Sequence, residues 1–152
     1  MIPMQIYIDA DACPVKEEAA RVAARHKLII HYVSNAHMRL PFGENVKRVV
    51  VAEGADAADD WIVAKVEAGD VVVTADVPLA ARAHKKGAHV IANTGKPFTA
   101  DGIGMALAMR NLMSELRETG GLTGNNPVFT PKDRSRFLQE LETVIQRVKR
   151  GG

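Results

Sequence analysis

The chain has 152 residues, of which 47% are hydrophobic and 25% charged, and a formal net charge of +2. This length suits one domain with a real core and is short for two, and the composition is that of a soluble globular protein. No apolar run approaches the roughly 20 residues that span a bilayer, and the opening MIPMQIYIDADAC lacks the basic segment of a signal peptide, so the expectation is a cytoplasmic protein with no membrane association.

In chain order, MQIYID reads as a first strand, rich in Ile and Tyr. PVKEEAARVAARHK follows as a helix, with Pro14 in its first turn and Val15, Ala19, Val22 and Ala23 at helical spacing. LIIHYVS is a second strand, NAHMRLPFGEN a polar connection, and KRVVVA a short third strand. DAADDWIVAKVEAG is helical and stops at Gly69; DVVVTA is a strand, VPLAARAHKKG a helix closing on Gly87, and AHVIAN a fifth strand. A long helix is expected from about Thr99 to Thr119, with Met105, Leu112 and Leu116 among its apolar positions, and LTGNNPVF is a loop. In TPKDRSRFLQELETVIQRVKR, Thr130 is a plausible cap, Pro131 fits the first turn and Asp133 stands where a capping-box acid would. The alternation predicts an α/β three-layer sandwich: a mainly parallel five-stranded sheet with helices on both faces, then two C-terminal helices packed on the core. One domain, 1–152, is expected, with its core at 1–93 and a helical region at 94–152.

All strand-to-helix junctions of a parallel sheet share its carboxyl edge, where ligands bind at the point at which strand order reverses. Asp9 and Asp11 follow the first strand, Asp56, Asp59 and Asp60 fall where the next helix after the third strand begins, and Asp76 follows the fourth strand. If the first and fourth strands are neighbours, Asp9 and Asp76 stand side by side. Close carboxylates repel and raise one another's pKa, and hard cations such as Mg2+ or Mn2+ relieve this with oxygen ligands and retained waters. Such an ion polarises a phosphodiester and generates a nucleophile from bound water. The expected metal set is Asp9, Asp11, Asp56, Asp59 and Asp76, with Asp9, Asp59 and Asp76 as catalytic residues. Any one of these acids could equally be a helix cap, Asp56 and Asp59 especially. Asp60 is the weaker choice, because neighbouring helical residues point about 100° apart.

Ser34, Asn35 and His37 in VSNAHM reach the same edge and could bind phosphate, with Arg39 behind them; the alternative is a turn in which Asn35 bonds its own backbone. For Arg39 and Arg82 a solvated role competes with a phosphate contact, and Trp61 is read as partly buried rather than as a base-stacking platform. Cys13 is the only cysteine, which excludes an internal disulfide and a multi-cysteine zinc site, and it is read as a small packing residue. Residues 1–81 hold 8 Lys and Arg against 12 Asp and Glu, and residues 82–152 hold 12 against 6. This fits an acidic metal site beside a basic surface that gathers a polyanion, and equally two ordinary helices with solvated bases.

DADACPV, SNAH, GADAADDWI and TADVPLAARAHKKG, in this order, closely resemble the bacterial YaiI/YqxD family, over nearly the whole chain. More distantly, ADDWIVAKVEAGDVVVTADVPLA is similar to the PIN nuclease pattern at Asp59 and Asp76, GADAAD looks like the corresponding NYN motif at Asp56, and Asp9 matches the acid ending the first strand in both. That resemblance implies a PIN-like (Rossmannoid) sheet, Mg2+ or Mn2+ bound by these acids, and cleavage of RNA. The chain departs from the pattern at Val77 and Pro78, where an aromatic usually follows the second acid.

A second resemblance, of IYIDADAC and HYVSN, is to haloacid-dehalogenase-type phosphatases, with Asp9 as nucleophile, Asp11 as general acid and Ser34 as phosphate ligand. Cys13 in place of the usual Thr or Val, and a helix beginning at Pro14 with no room for a flap, weigh against it. A non-catalytic RNA- or metal-binding module with a degenerate site is the third reading. No nucleotide cofactor is expected, since TGKPFT and GGLTGNN lack P-loop spacing.

Overall fold

A computed structural model describes residues 4–52, 54, 56–118 and 128–151. Five strands, β1 (Ile6–Asp9), β2 (Ile30–Ser34), β3 (Val46–Val50), β4 (Val71–Val73) and β5 (His89–Ile91), form one sheet in the order β3-β2-β1-β4-β5. All pair in parallel, with Ile8 of β1 opposite Tyr32 of β2 and Val73 of β4. The first and fourth strands are neighbours, which meets the condition for Asp9 and Asp76 to stand side by side.

The central strands are apolar on both sides because both faces of the sheet are covered. Ile6 and Ile8 point into one cluster with Val22 and Ala23 of α1 (Lys16–Arg25) and with Phe137, Leu141 and Ile145 of α5 (Pro131–Lys149). Tyr7, Val72 and Val90 point the other way, onto Ile62 of α2 (Ala57–Lys65) and Leu79 and Ala83 of α3 (Val77–Lys85). Truncating fully buried Ile8 to Ala would cost about 2–5 kcal/mol. β2 and β3 are parallel with no helix between them; Met38 and Leu40 of the connecting loop pack on the first cluster in its place.

Several boundaries differ from expectation for local reasons. A 3-10 turn occupies Ala10–Ala12 and Cys13 stays extended before Pro14, so α1 starts at Lys16. Helix α2 ends at Lys65 rather than Gly69: the Asp70 carboxylate accepts the backbone N–H groups of Glu67 and Gln5, both at 2.9 Å, and this pins an extended Val66 and the turn after it. At α5 the expected capping box is present, with Thr130 Oγ1 accepting from Asp133 N at 3.1 Å and Asp133 Oδ2 from Thr130 N at 3.0 Å.

Helix α4 (Ala100–Glu118) departs most from expectation. It buries Ile103 and packs chiefly against α3, but leaves Met105 75% and Leu112 49% exposed. Two of its three expected apolar positions thus face solvent; the Leu116 side chain and the 122–127 part of the following loop lie outside the described residues. The loop after β5 is held differently. Gly95 has φ +87° and lies so close to α5 that a Cβ there would stand 2.5 Å from the Arg136 carbonyl carbon.

Candidate functional site

The strand order reverses between β1 and β4, where the chain leaves β1 toward β2 on one side and leaves β4 toward β5 on the other. Asp9 ends β1 at this point. Its neighbour across the strand boundary is Thr74, 1% exposed, whose hydroxyl donates to Asp9 Oδ2 at 2.9 Å and accepts the Asp76 N–H, also at 2.9 Å. Asp76 is in turn the N-cap of α3, its Oδ1 accepting from Leu79 N at 3.0 Å. One buried hydroxyl therefore ties two acids from different crossovers into a single unit.

Burial pushes the Asp9 carboxyl above its ordinary pKa; the Thr74 hydrogen bond opposes this, and the charges of Asp76 and Asp11 add to it. Asp59, half-buried on the first turn of α2, is raised to about 6, first by burial and then by Asp76, Asp9 and Asp56, with Arg82 opposing. The acids expected to cluster do share one electrostatic field. Asp11, exposed in the 3-10 turn, lines a cleft of about 310 Å3 with Asp9, Ala75, Asp76 and Asn93. Asp60 turns away and pairs with Arg82 Nη1 at 2.9 Å. This settles Arg82 on a carboxylate. Asp56 is exposed at the head of α2 and its side chain makes no capping hydrogen bond, so the capping alternative does not describe it.

The substrate-binding candidates divide. Asn35, His37 and Arg39 are exposed on the loop after β2, one strand over from Asp9. Ser34 is 3% exposed and its hydroxyl donates to the Ala36 carbonyl at 2.5 Å, which commits the proton that a phosphate would need. Trp61 packs partly buried beside Tyr7 and His31, whose rings stack at 4.7 Å. Cys13 is 2% exposed, and burial raises its thiol to about 11, as suits a packing residue.

Sequence reasoning missed Asn93. It lies just past β5, where the chain leaves the sheet, and AHVIAN ending at the shared carboxyl edge was the signal available. Asp70 is the opposite case: an acid at the other end of β4, buried and satisfied by two backbone N–H groups, and hence structural.

Whether these acids suit a divalent cation turns on their spacing. Among the described residues, no three His, Cys, Asp or Glu side chains stand close enough to enclose an ion by themselves. Mg2+, however, characteristically keeps several waters and uses one or two carboxylates together with substrate phosphate. Asp9 and Asp76, linked through Thr74 from the carboxylate of one to the backbone N–H of the other and lining an open cleft, fit a hydrated ion of that kind and do not fit a closed cage.

The family model described as "Uncharacterized BCR, YaiI/YqxD family" matches residues 7–147. Among similar proteins are the UPF0178 protein of Rhodospirillum rubrum, 58% identical over 149 residues (97% of this chain, 99% of the relative), and that of Parvibaculum lavamentivorans, 56% identical over 146 residues (96% of each). A UPF0178 protein of Rhodopseudomonas palustris is 53% identical over 148 residues, 97% of this chain and 90% of its own. No solved structure is a significant match.

Proposed function

The chain belongs to the YaiI/YqxD family, and from that premise we propose that it is a divalent-metal-dependent phosphodiesterase that hydrolyses RNA at Asp9, Asp59 and Asp76. The observation that carries this reading is the Thr74 hydroxyl joining Asp9 to the Asp76 turn at the switch point, with Asp59 in the same field.

Asp9 and Asp76 would hold Mg2+ or Mn2+, with Asp11 and Asp56 as further carboxylates at the same edge of the sheet. Once bound, the ion supplies charge compensation, polarises a phosphodiester oxygen and lowers the pKa of a water. Thr74 keeps the Asp9 carboxylate in one orientation, and α3 fixes Asp76 through its cap. Asp59, half-buried on the first turn of α2 and within the field of Asp76 and Asp9, is the carboxylate placed to take a proton from an attacking water. Asn35, His37 and Arg39, exposed on the loop after β2, would contact the flanking backbone. RNA as substrate is supported by the resemblance to PIN and NYN nucleases and by the base-rich half after residue 81. No helix among the described residues is long and apolar enough to cross a membrane, and a cytoplasmic setting suits the substrate.

The phosphatase reading needs a Ser34 hydroxyl free for phosphate, and here it is buried on Ala36 O. The test is incubation of metal-stripped protein with mixed RNA, single-stranded DNA and a generic phosphomonoester, with and without Mn2+, beside Asp9→Asn. RNA cleavage that requires metal and is lost in the variant supports the proposal. Phosphomonoester turnover through a trapped aspartyl phosphate, or RNA binding without cleavage under every metal, overturns it.

A further inference from the structure

A second concavity lies at the free edge of β5, between α3 and α5, and has a volume of about 600 Å3. It shares no lining residue with the carboxylate cleft. Its volume falls within the roughly 300–1,000 Å3 of small-ligand sites. Its lining mixes polar and apolar groups, with Val144 of α5 and Phe98 among the apolar ones.

Three nitrogen-bearing side chains reach it from three separate elements: His84 from the last turn of α3, His89 from β5 and Arg147 from the last turns of α5. Among the described residues none of the three side chains is hydrogen-bonded or ion-paired. Glu140 lines the same cavity two turns from Arg147 and also forms no ion pair there. Arg25, Arg82 and Arg136 settle on carboxylates, whereas Arg147 faces a concavity that two imidazoles also line. Arg147 and two imidazoles gathered from three elements around one concavity, beside the apolar groups of Phe98 and Val144, make the arrangement of a site that awaits an anion. The field is felt inside it: His89 is held below its ordinary pKa by burial first, and then by Arg147 and His84.

We propose that the β5-edge cavity binds a small phosphate monoester with a planar organic body, the phosphate held by Arg147, His84 and His89 and the body lying against Phe98 and Val144. The guanidinium fork matches two phosphate oxygens at once, and the imidazoles donate to the third. Glu140, at the rim, accepts from an amino or hydroxyl group on the body. A carboxylate ligand has two oxygens for donors converging from three elements and uses the site less fully.

The test uses the full chain, metal-free with EDTA, and backbone amide NMR with three probes: adenosine monophosphate, adenosine and inorganic phosphate. Saturable shifts with the monophosphate are expected at His89, Phe98 and the end of α5, with adenosine bound at least roughly tenfold more weakly. Arg147→Gln and His84→Gln, both at the surface and outside the core, are each expected to weaken binding roughly 10- to 100-fold, the loss of a charge-assisted hydrogen bond. Inorganic phosphate should shift the same amides at higher concentration. No saturation by the monophosphate overturns the proposal. So does adenosine binding as tightly as its phosphate, or shifts centred on Asp11, Asp76 and Asn93 instead.

Discussion

Thr74 and Asp9 meet across the boundary between β4 and β1, with the threonine hydroxyl donating to the carboxylate at 2.9 Å. The same oxygen accepts the Asp76 N–H, so the two acids have one orienting group in common. Thr74→Val keeps the shape and removes both bonds, leaving a partly buried carboxylate and an amide without partners. A loss of about 1–3 kcal/mol in urea unfolding is expected. The Asp9 carboxyl should titrate higher still, since the bond that lowers it is gone. A variant as stable as the parent, with Asp9 unmoved, would remove Thr74 from the account.

Asp59 gives the protein a pH signature. Its folded pKa, about 6, lies above the unfolded carboxylate value near 3.9, so the native state holds the proton more tightly. The resulting stability is fully present below about pH 4 and is lost as pH rises through 6. Asp9 is displaced in the same direction. Thermal unfolding from pH 4 to 7 should therefore show a decline attributable to Asp59 that flattens in Asp59→Asn. An identical slope in the two proteins would mean that Asp59 feels no such field.

Neighbouring acids on α2 should behave as opposites. Asp60 is exposed and paired with Arg82, and Asp60→Asn is expected to change stability by less than about 0.5 kcal/mol and leave RNA cleavage at the parent rate. Asp59→Asn should lower cleavage by about 100-fold or more, the usual contribution of a positioned base. Equal losses in single-turnover assays of the two variants would show that the helix, and not the facing carboxylate, matters.

Gly95 supports the loop that carries Asn93 to the cleft. With φ +87°, alanine there costs on the order of 1–3 kcal/mol in backbone strain alone, before the contact with α5 at Arg136. Gly95→Ala should melt lower and shift the Asn93 amide; an unchanged melting temperature would contradict this packing.

How much of this the sequence disclosed depends on the range of each interaction. β1 through β5 were legible because a strand covered on both faces must be apolar at successive positions, as Ile6, Tyr7 and Ile8 are. That Asp9, Asp59 and Asp76 belong to one edge of the sheet was legible from parallel connectivity, while the pairing of β1 with β4 that sets Asp9 beside the Asp76 turn was only a condition there. What stayed hidden was set by partners far along the chain. Asp70 stops α2 by also capturing the amide of Gln5, 65 residues away, and nothing near Lys65 announces it. Ser34 looks like a loop hydroxyl and is buried because its strand runs between two others. In α4 the spacing of Met105 and Leu112 suits a buried face, yet helical spacing cannot say whether anything covers that face.

The most direct test of the central claim is calorimetric titration of metal-stripped protein with Mn2+, in the parent and in Asp9→Asn, Asp76→Asn and Thr74→Val. If the Asp9 and Asp76 carboxylates hold the ion, the parent binds, both Asn variants lose at least about tenfold in affinity, and Thr74→Val, acting through Asp9, loses roughly 10- to 100-fold. Mn2+ binding of equal strength in all four proteins would contradict the account and return Asp9 and Asp76 to the roles of turn and cap.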